Sequence, residues 1–172
     1  MVDELHDAHD AYLECARKAY GSLVAPDYSF LSELIARRPY RNVIARVRAI
    51  AQQVIDLSNW NDDVAYSLKV TIDHEDLIVW LSLVGPYAMV HRAIYDGTEL
   101  RSALALPQPA GSKVAEVLVH AGFRLLTADE LSMPVEFASG DNCPSAYTPL
   151  ARVLFSDNEA VVVPRMDGMS DL

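Results

Sequence analysis

The sequence predicts an α+β fold in which N-terminal helices pack on an antiparallel β-sheet, and three observations carry that prediction. Apolar residues recur with a helical period up to about residue 57, and the period shortens to two from about residue 62. Three strand-like segments then follow one another at about 62–95 with connections too short for a crossover, which leaves an antiparallel meander. A further helix at about 112–122 and short C-terminal strands complete the expected two layers.

In chain order, Leu5, Ala8, Tyr12, Cys15, Ala16, Ala19 and Leu23 stand at helical spacing, with acids early and Arg17 and Lys18 late. That order suits the helix dipole and predicts an amphipathic helix ending near Gly21. Asp27 is expected to cap a short helix over 28–38, which Pro39 closes. Val43, Ile44, Val47, Ile50, Ala51, Val54 and Ile55 form one continuous stripe, so a single helix is expected over 41–57.

Val64, Tyr66, Leu68, Val70 and Ile72 then alternate with Ala65, Ser67, Lys69, Thr71 and Asp73, as in a strand with one wet face. After the interruption Asp73–Asp76, the run Leu77–Val84 is apolar on both faces, which suits the centre of a sheet. Gly85 and Pro86 break the chain again before a third strand that lasts to about residue 95. Pro107, Pro109 and Gly111 mark 98–112 as a loop, with room for a short helix over 98–106. The helix at 112–122 has Ser112 as its N-cap and Gly122 as its C-cap, and Thr127 precedes Glu130 at the spacing of a capping box. Residues 151–155 and 160–164 read as short strands separated by a turn. No repeat or linker divides the chain, so one domain is expected over 1–165 with a frayed tail at 166–172.

At 172 residues and 51% hydrophobic content the chain is long and apolar enough to bury a core. Its 24 acidic against 14 basic side chains leave a net charge of -10, which repels nucleic acid and suits a cationic protein partner. Cys15 and Cys143 lie far apart in unlike contexts, and acids occupy the N-terminus where a secretory signal carries Lys or Arg. No apolar run approaches the roughly 20 residues that span a bilayer. A soluble cytoplasmic protein is therefore expected.

His74 among Asp73, Glu75 and Asp76 offers one imidazole and three carboxylates, but adjacent residues at a strand end point apart and no second ligand motif supplies a partner. In the N-terminal HDAHD, His6 and Asp10 share a helix face with His9 nearby, which is two ligands on one frayed helix. Cys143 precedes Pro144 without a helix N-terminus to activate it, and no signature ties it to His74, His91 or His120. The residues thus name no catalytic group, no metal site and no cofactor. Arg37, Arg38, Arg41, Arg46 and Arg48 are clustered, and Arg41 and Arg48 share a helix face that can grip phosphate or carboxylate; pairing with the protein's own acids is the competing use. Trp60 with Asp62 and Asp63, and Asp73, Glu75 and Asp76 at the far end of the first strand, combine an aromatic anchor with charge, as a binder of a basic protein requires.

The stretches LIVWLSLVGPYAMVHRAI and VAEVLVHAGFRLLTADEL, over roughly residues 60–135, resemble the small acidic immunity proteins that neutralise bacterial polymorphic and contact-dependent toxins. The resemblance implies a non-enzymatic inhibitor that occludes the active site of a cognate toxin, such as a nuclease or NAD-degrading domain with a basic cleft, in a 1:1 complex. Two other expectations stand beside it: an acidic secretion chaperone that binds an extended effector segment, and an enzyme built on His74, His91 or Cys143.

Overall fold

The computed structural model describes residues 2–61, 63–96, 99–104, 109–137 and 148–156. Helix α1 spans Val2–Tyr20, α2 Phe30–Arg37 and α3 Arg41–Ile50. Strands β1 (Gln53–Asp56), β2 (Ala65–Ile72), β3 (Glu75–Ser82), β4 (Tyr87–Asp96) and β5 (Glu99–Leu104) form an antiparallel sheet in sequential order. Then come α4 (Pro109–His120), β6 (Arg124–Leu125), which joins β4 in parallel, and α5 (Ala128–Leu131). A small ribbon of β7 (Pro134–Val135) and β8 (Thr148–Pro149) leads into α6 (Leu150–Leu154). The class is α+β, and the meander lies where the alternation placed it.

Gly21, at φ +72°, ends α1, and Gly122, at φ +89°, follows α4, so each takes the left-handed conformation that glycine tolerates best. Asp27 acts differently from expectation. Its carboxylate accepts from the backbone N–H and hydroxyl of Ser29 at 2.8 and 2.9 Å, forming a local turn ahead of α2, whose first residues have no side-chain cap.

Residues 53–56 are strand where a helix was expected. Val54 and Ile55 fit both periods, and β2 offers an open edge whose backbone groups they satisfy, with Val54 opposite Val70 and Ile55 opposite Lys69. The same demand on the other side of the sheet turns 99–104 into β5 against β4, not a loop or helix. Helix α4 begins three residues before Ser112, at Pro109, because proline is tolerated in a first turn that needs no N–H donor. Residues 151–154 are helical, not extended: Leu150, Ala151, Val153 and Leu154 are all buried around the partly exposed Arg152, and a run of five residues is too short for its period to be read. The second expected terminal strand, at 160–164, and the tail lie outside the described residues.

Both faces of the sheet are covered, so there are three layers and not two. On one face Val47 of α3 and Val114 and Leu118 of α4 pack on Leu68, Val70, Leu77, Val79 and Leu81. On the other, Tyr12, Ala16 and Tyr20 of α1 join Ala65, Met89, Leu131, Leu154 and Phe155. The doubly apolar β3 lies between β2 and β4, where it needs cover on both sides.

The β2–β3 hairpin turns on two residues, Asp73 (φ 51°) and His74 (φ 67°), with Ile72 paired to Glu75. Positive φ at both positions is the two-residue geometry that matches the strand twist and favours Asn-Gly. A left-handed conformation costs a non-glycine residue roughly 1–2 kcal/mol, against a glycine entropy cost of about 0.5–1 kcal/mol. His74→Gly is therefore expected to stabilise the protein by up to about 1 kcal/mol, read as a higher urea midpoint. A lower midpoint would show that the imidazole itself holds the turn.

Candidate functional site

Of the six residues that composition and spacing assign to a docking surface, the five described ones fall at or near the two ends of β2. That strand of eight residues separates them by roughly 23 Å at 3.3 Å per residue. At the hairpin end the three carboxylates diverge. Asp73 sits on the turn and meets Lys113 of α4 at 2.6 Å. Asp76, opposite Thr71, accepts from its hydroxyl at 2.6 Å and pairs with Lys69 at 2.8 Å, on the sheet face away from α4. Glu75, opposite Ile72, is half-buried, and its Oε2 finds no hydrogen-bond partner among the described residues.

At the other end, Asp63 is buried, accepts from the Asn59 N–H at 2.9 Å and forms an isolated bridge to Ser156. Its place is in the fold's closure, away from solvent. Asp62 lies outside the described residues. Trp60 is half-buried, with its ring edge-to-face on Tyr66 at 4.8 Å. It lines a cavity of about 350 Å³ with Ile35, Arg38, Arg41, Ile44, Arg48, Asp56 and Tyr66. Trp60 therefore keeps company with arginines as well as with acids.

Among the described residues no three His, Cys, Asp or Glu side chains are grouped closely enough to hold a metal ion. The Nδ1 of His120 lies 2.7 Å from the Glu116 carbonyl within its own helix, and His91 is buried in β4. His9 borders a second cavity of about 490 Å³ with Arg17 and Glu136. Cys143 lies outside the described residues, and Cys15 accepts from the Tyr87 hydroxyl, 3.2 Å from its Sγ. No described helix is long and apolar enough to cross a membrane.

A buried carboxylate with four donors, Glu130, was legible only as part of a cap. Glu130 completes the expected capping box with Thr127, accepting from its N–H at 2.8 Å while its own N–H donates to the Thr127 hydroxyl. It also accepts from the buried Tyr12 hydroxyl and from Arg124, each at 2.6 Å, and Arg124 lies over the Tyr12 ring. Burial pushes the Glu130 carboxyl up, but the Thr127 backbone, Tyr12 and the remaining donors outweigh it and hold it below the usual range.

A further feature had no sequence signal. Among the described strands β1 lies at the edge of the sheet, and around it Ile50 is 40% exposed while Ile55 and Leu57 are 39% exposed each. Ile55 shares its sheet face with Lys69 and Asp76. No protein-family model matches the chain, and neither does any curated protein or solved structure.

Proposed function

We propose that the chain is an immunity protein that acts in the cytoplasm, binding a cognate bacterial toxin domain one to one and occluding its active site without chemistry of its own. The observation that carries this reading is the β1 edge, which presents Ile55 and Leu57 on a protein of net charge -10. Exposed aliphatic side chains beside unpaired backbone groups provide an anchor and a template, and the surrounding negative field speeds encounter with a basic cleft. The sequence resemblance over residues 60–135 supports the same class.

The test is protection of cells that express the toxin encoded beside this gene, together with affinity measured on the purified pair. Wild-type protein is expected to protect. Ile55→Glu with Leu57→Ser is expected to weaken the complex about a hundredfold or more, as loss of a central anchor does. Asp73→Lys is expected to lower the association rate chiefly at low salt. Absence of protection by the wild type overturns the function, and unchanged affinity of the double variant moves the interface elsewhere.

The same edge also supports the chaperone reading, because an extended effector segment can add to β1 as a further strand. A homodimer that binds an unfolded peptide, and no folded toxin, would decide for it.

A further inference from the structure

The cavity under α3 has the chemistry of a small-anion site. Arg41, Ile44 and Arg48 stand at i, i+3 and i+7 on one face of α3, and Arg38 precedes that helix across Pro39. Arg38 caps α2 in the left-handed conformation, with φ 49° and ψ 58°, which an arginine adopts at a cost. The opposite wall comes from the β1–β2 end of the sheet, with Asp56, Trp60 and Tyr66.

The electrostatics of this wall are lopsided. None of the ion pairs formed among the described residues involves Arg38, Arg41 or Arg48, although the protein carries ten more negative than positive charges. Arg37, next in sequence, does pair with Glu33 on its own helix. Among the described residues Asp56 is the single carboxylate in the wall, and its Oδ1 already accepts from the N–H and hydroxyl of Ser58 at 2.9 and 2.6 Å. Burial, then Asp56, hold the Tyr66 phenol above its ordinary value, and Arg38 opposes them, so Tyr66 stays a hydrogen-bond donor at neutral pH.

We infer that this cavity binds a nucleotide, with Arg38, Arg41 and Arg48 holding the phosphate and the Trp60 indole packing against the planar base. A guanidinium matches phosphate oxygens in hydrogen-bonding geometry and charge, three of them line this cavity, and none of the three is paired with a carboxylate among the described residues. The volume of about 350 Å³ exceeds what inorganic phosphate needs and lies in the range of small-ligand sites. An indole beside a phosphate grip is the arrangement that stacks a base, at roughly 1–3 kcal/mol. A mononucleotide is favoured over a nucleic-acid strand by charge. The net -10 opposes each additional phosphate laid along the surface, whereas screening over about 8 Å at physiological salt confines that repulsion for a ligand inside the cavity.

The experiment is calorimetric titration of the intact protein with AMP, adenosine, inorganic phosphate and a ten-nucleotide single-stranded RNA. AMP is expected to bind saturably with a submillimolar dissociation constant, and adenosine and phosphate each at least about tenfold more weakly. Arg41→Gln with Arg48→Gln is expected to weaken AMP binding about tenfold or more, with the melting temperature within roughly 2 °C of wild type, since both side chains make no ion pair that the fold depends on. If the double variant does not fold, Arg48→Gln alone carries the comparison. In wild type AMP is expected to quench tryptophan fluorescence; Trp60→Phe should abolish that response while Trp80 still emits. No saturation by AMP up to about 5 mM, a Kd well above the cellular range, overturns the inference, and so does an arginine variant that binds as wild type. RNA binding tighter than AMP overturns it in favour of a polyanion groove.

Discussion

Glu130→Ala is expected to lower the melting temperature by roughly 10 °C, corresponding to about 3 kcal/mol in a chain of this size. Glu130 is 5% exposed and accepts four hydrogen bonds, from the Thr127 N–H and hydroxyl, the Tyr12 hydroxyl and Arg124. The losses are unequal. Arg124 is half-exposed and finds water instead, so its share is small. Tyr12 is fully buried, and its hydroxyl loses its acceptor where water does not reach, which costs the larger part. The capping box disappears with it, at about 1 kcal/mol. Tyr12→Phe separates the contributions: it leaves Glu130 with three donors and is expected to cost only about 1 kcal/mol. Equal losses in the two variants would mean that the Tyr12–Glu130 bond alone holds the junction of α1 and α5. Because the folded-state pKa of Glu130 is depressed, its contribution is present above the ordinary carboxylate range and fades as pH falls through the folded value.

Acid is expected to weaken the fold earlier than that, through His91. This imidazole is 1% exposed on β4, and burial pushes its pKa down to about 4 from an ordinary 6.5. The unfolded chain takes up the proton first. Stability is therefore full above about pH 6.5, declines as pH falls towards about 4, and declines no further on this account below it. At 1.36 kcal/mol per unit, the gap between about 4 and 6.5 corresponds to roughly 3 kcal/mol. Urea unfolding at pH 7 and at pH 4.5 measures it. His91→Gln is expected to lose most of the difference between the two conditions, whatever its stability at pH 7. A variant with the wild-type pH dependence would show that His91 accepts its proton in place and that other groups set the acid limb.

The elements that were legible in sequence are those whose causes are local. The stripe that includes Tyr12 and Ala16, the alternation over 64–72, a break at Asp73, which the structure confines to Asp73 and His74, and the Thr127–Glu130 spacing all act within one or two turns of chain. The misread elements were decided from a distance. Val54 and Ile55 satisfy a helical and an extended period equally, and the vacant edge of β2 settles the matter. Leu150–Leu154 has four buried residues and the single polar Arg152, too few positions from which to read a period. The site divides the same way. Arg41 and Arg48 could be placed on one helix face from spacing alone, and Trp60 stood out as an anchor. That Arg38, Asp56 and Tyr66 meet them in one cavity depends on α3 crossing the end of the sheet. The acids singled out with Trp60 at both ends of β2 are split by an alternation that sends Glu75 and Asp76 to opposite faces.

The contacts of α6 with the sheet set the order in which the protein can finish folding. Val64 donates to the Phe155 carbonyl, the Ser82 hydroxyl to that of Leu154, and Tyr20 to that of Val153, so the last described helix is fastened to residues made 72 to 133 positions earlier in the chain. The meander closes through short turns and can pair as soon as it leaves the ribosome. The layer under α1 cannot close until Phe155 has been synthesised, and at 5–20 residues per second that interval lasts several seconds. The face under α3 and α4 can therefore be completed before the α1 face, which makes the α1 side the surface that stays open to a chaperone longest during synthesis.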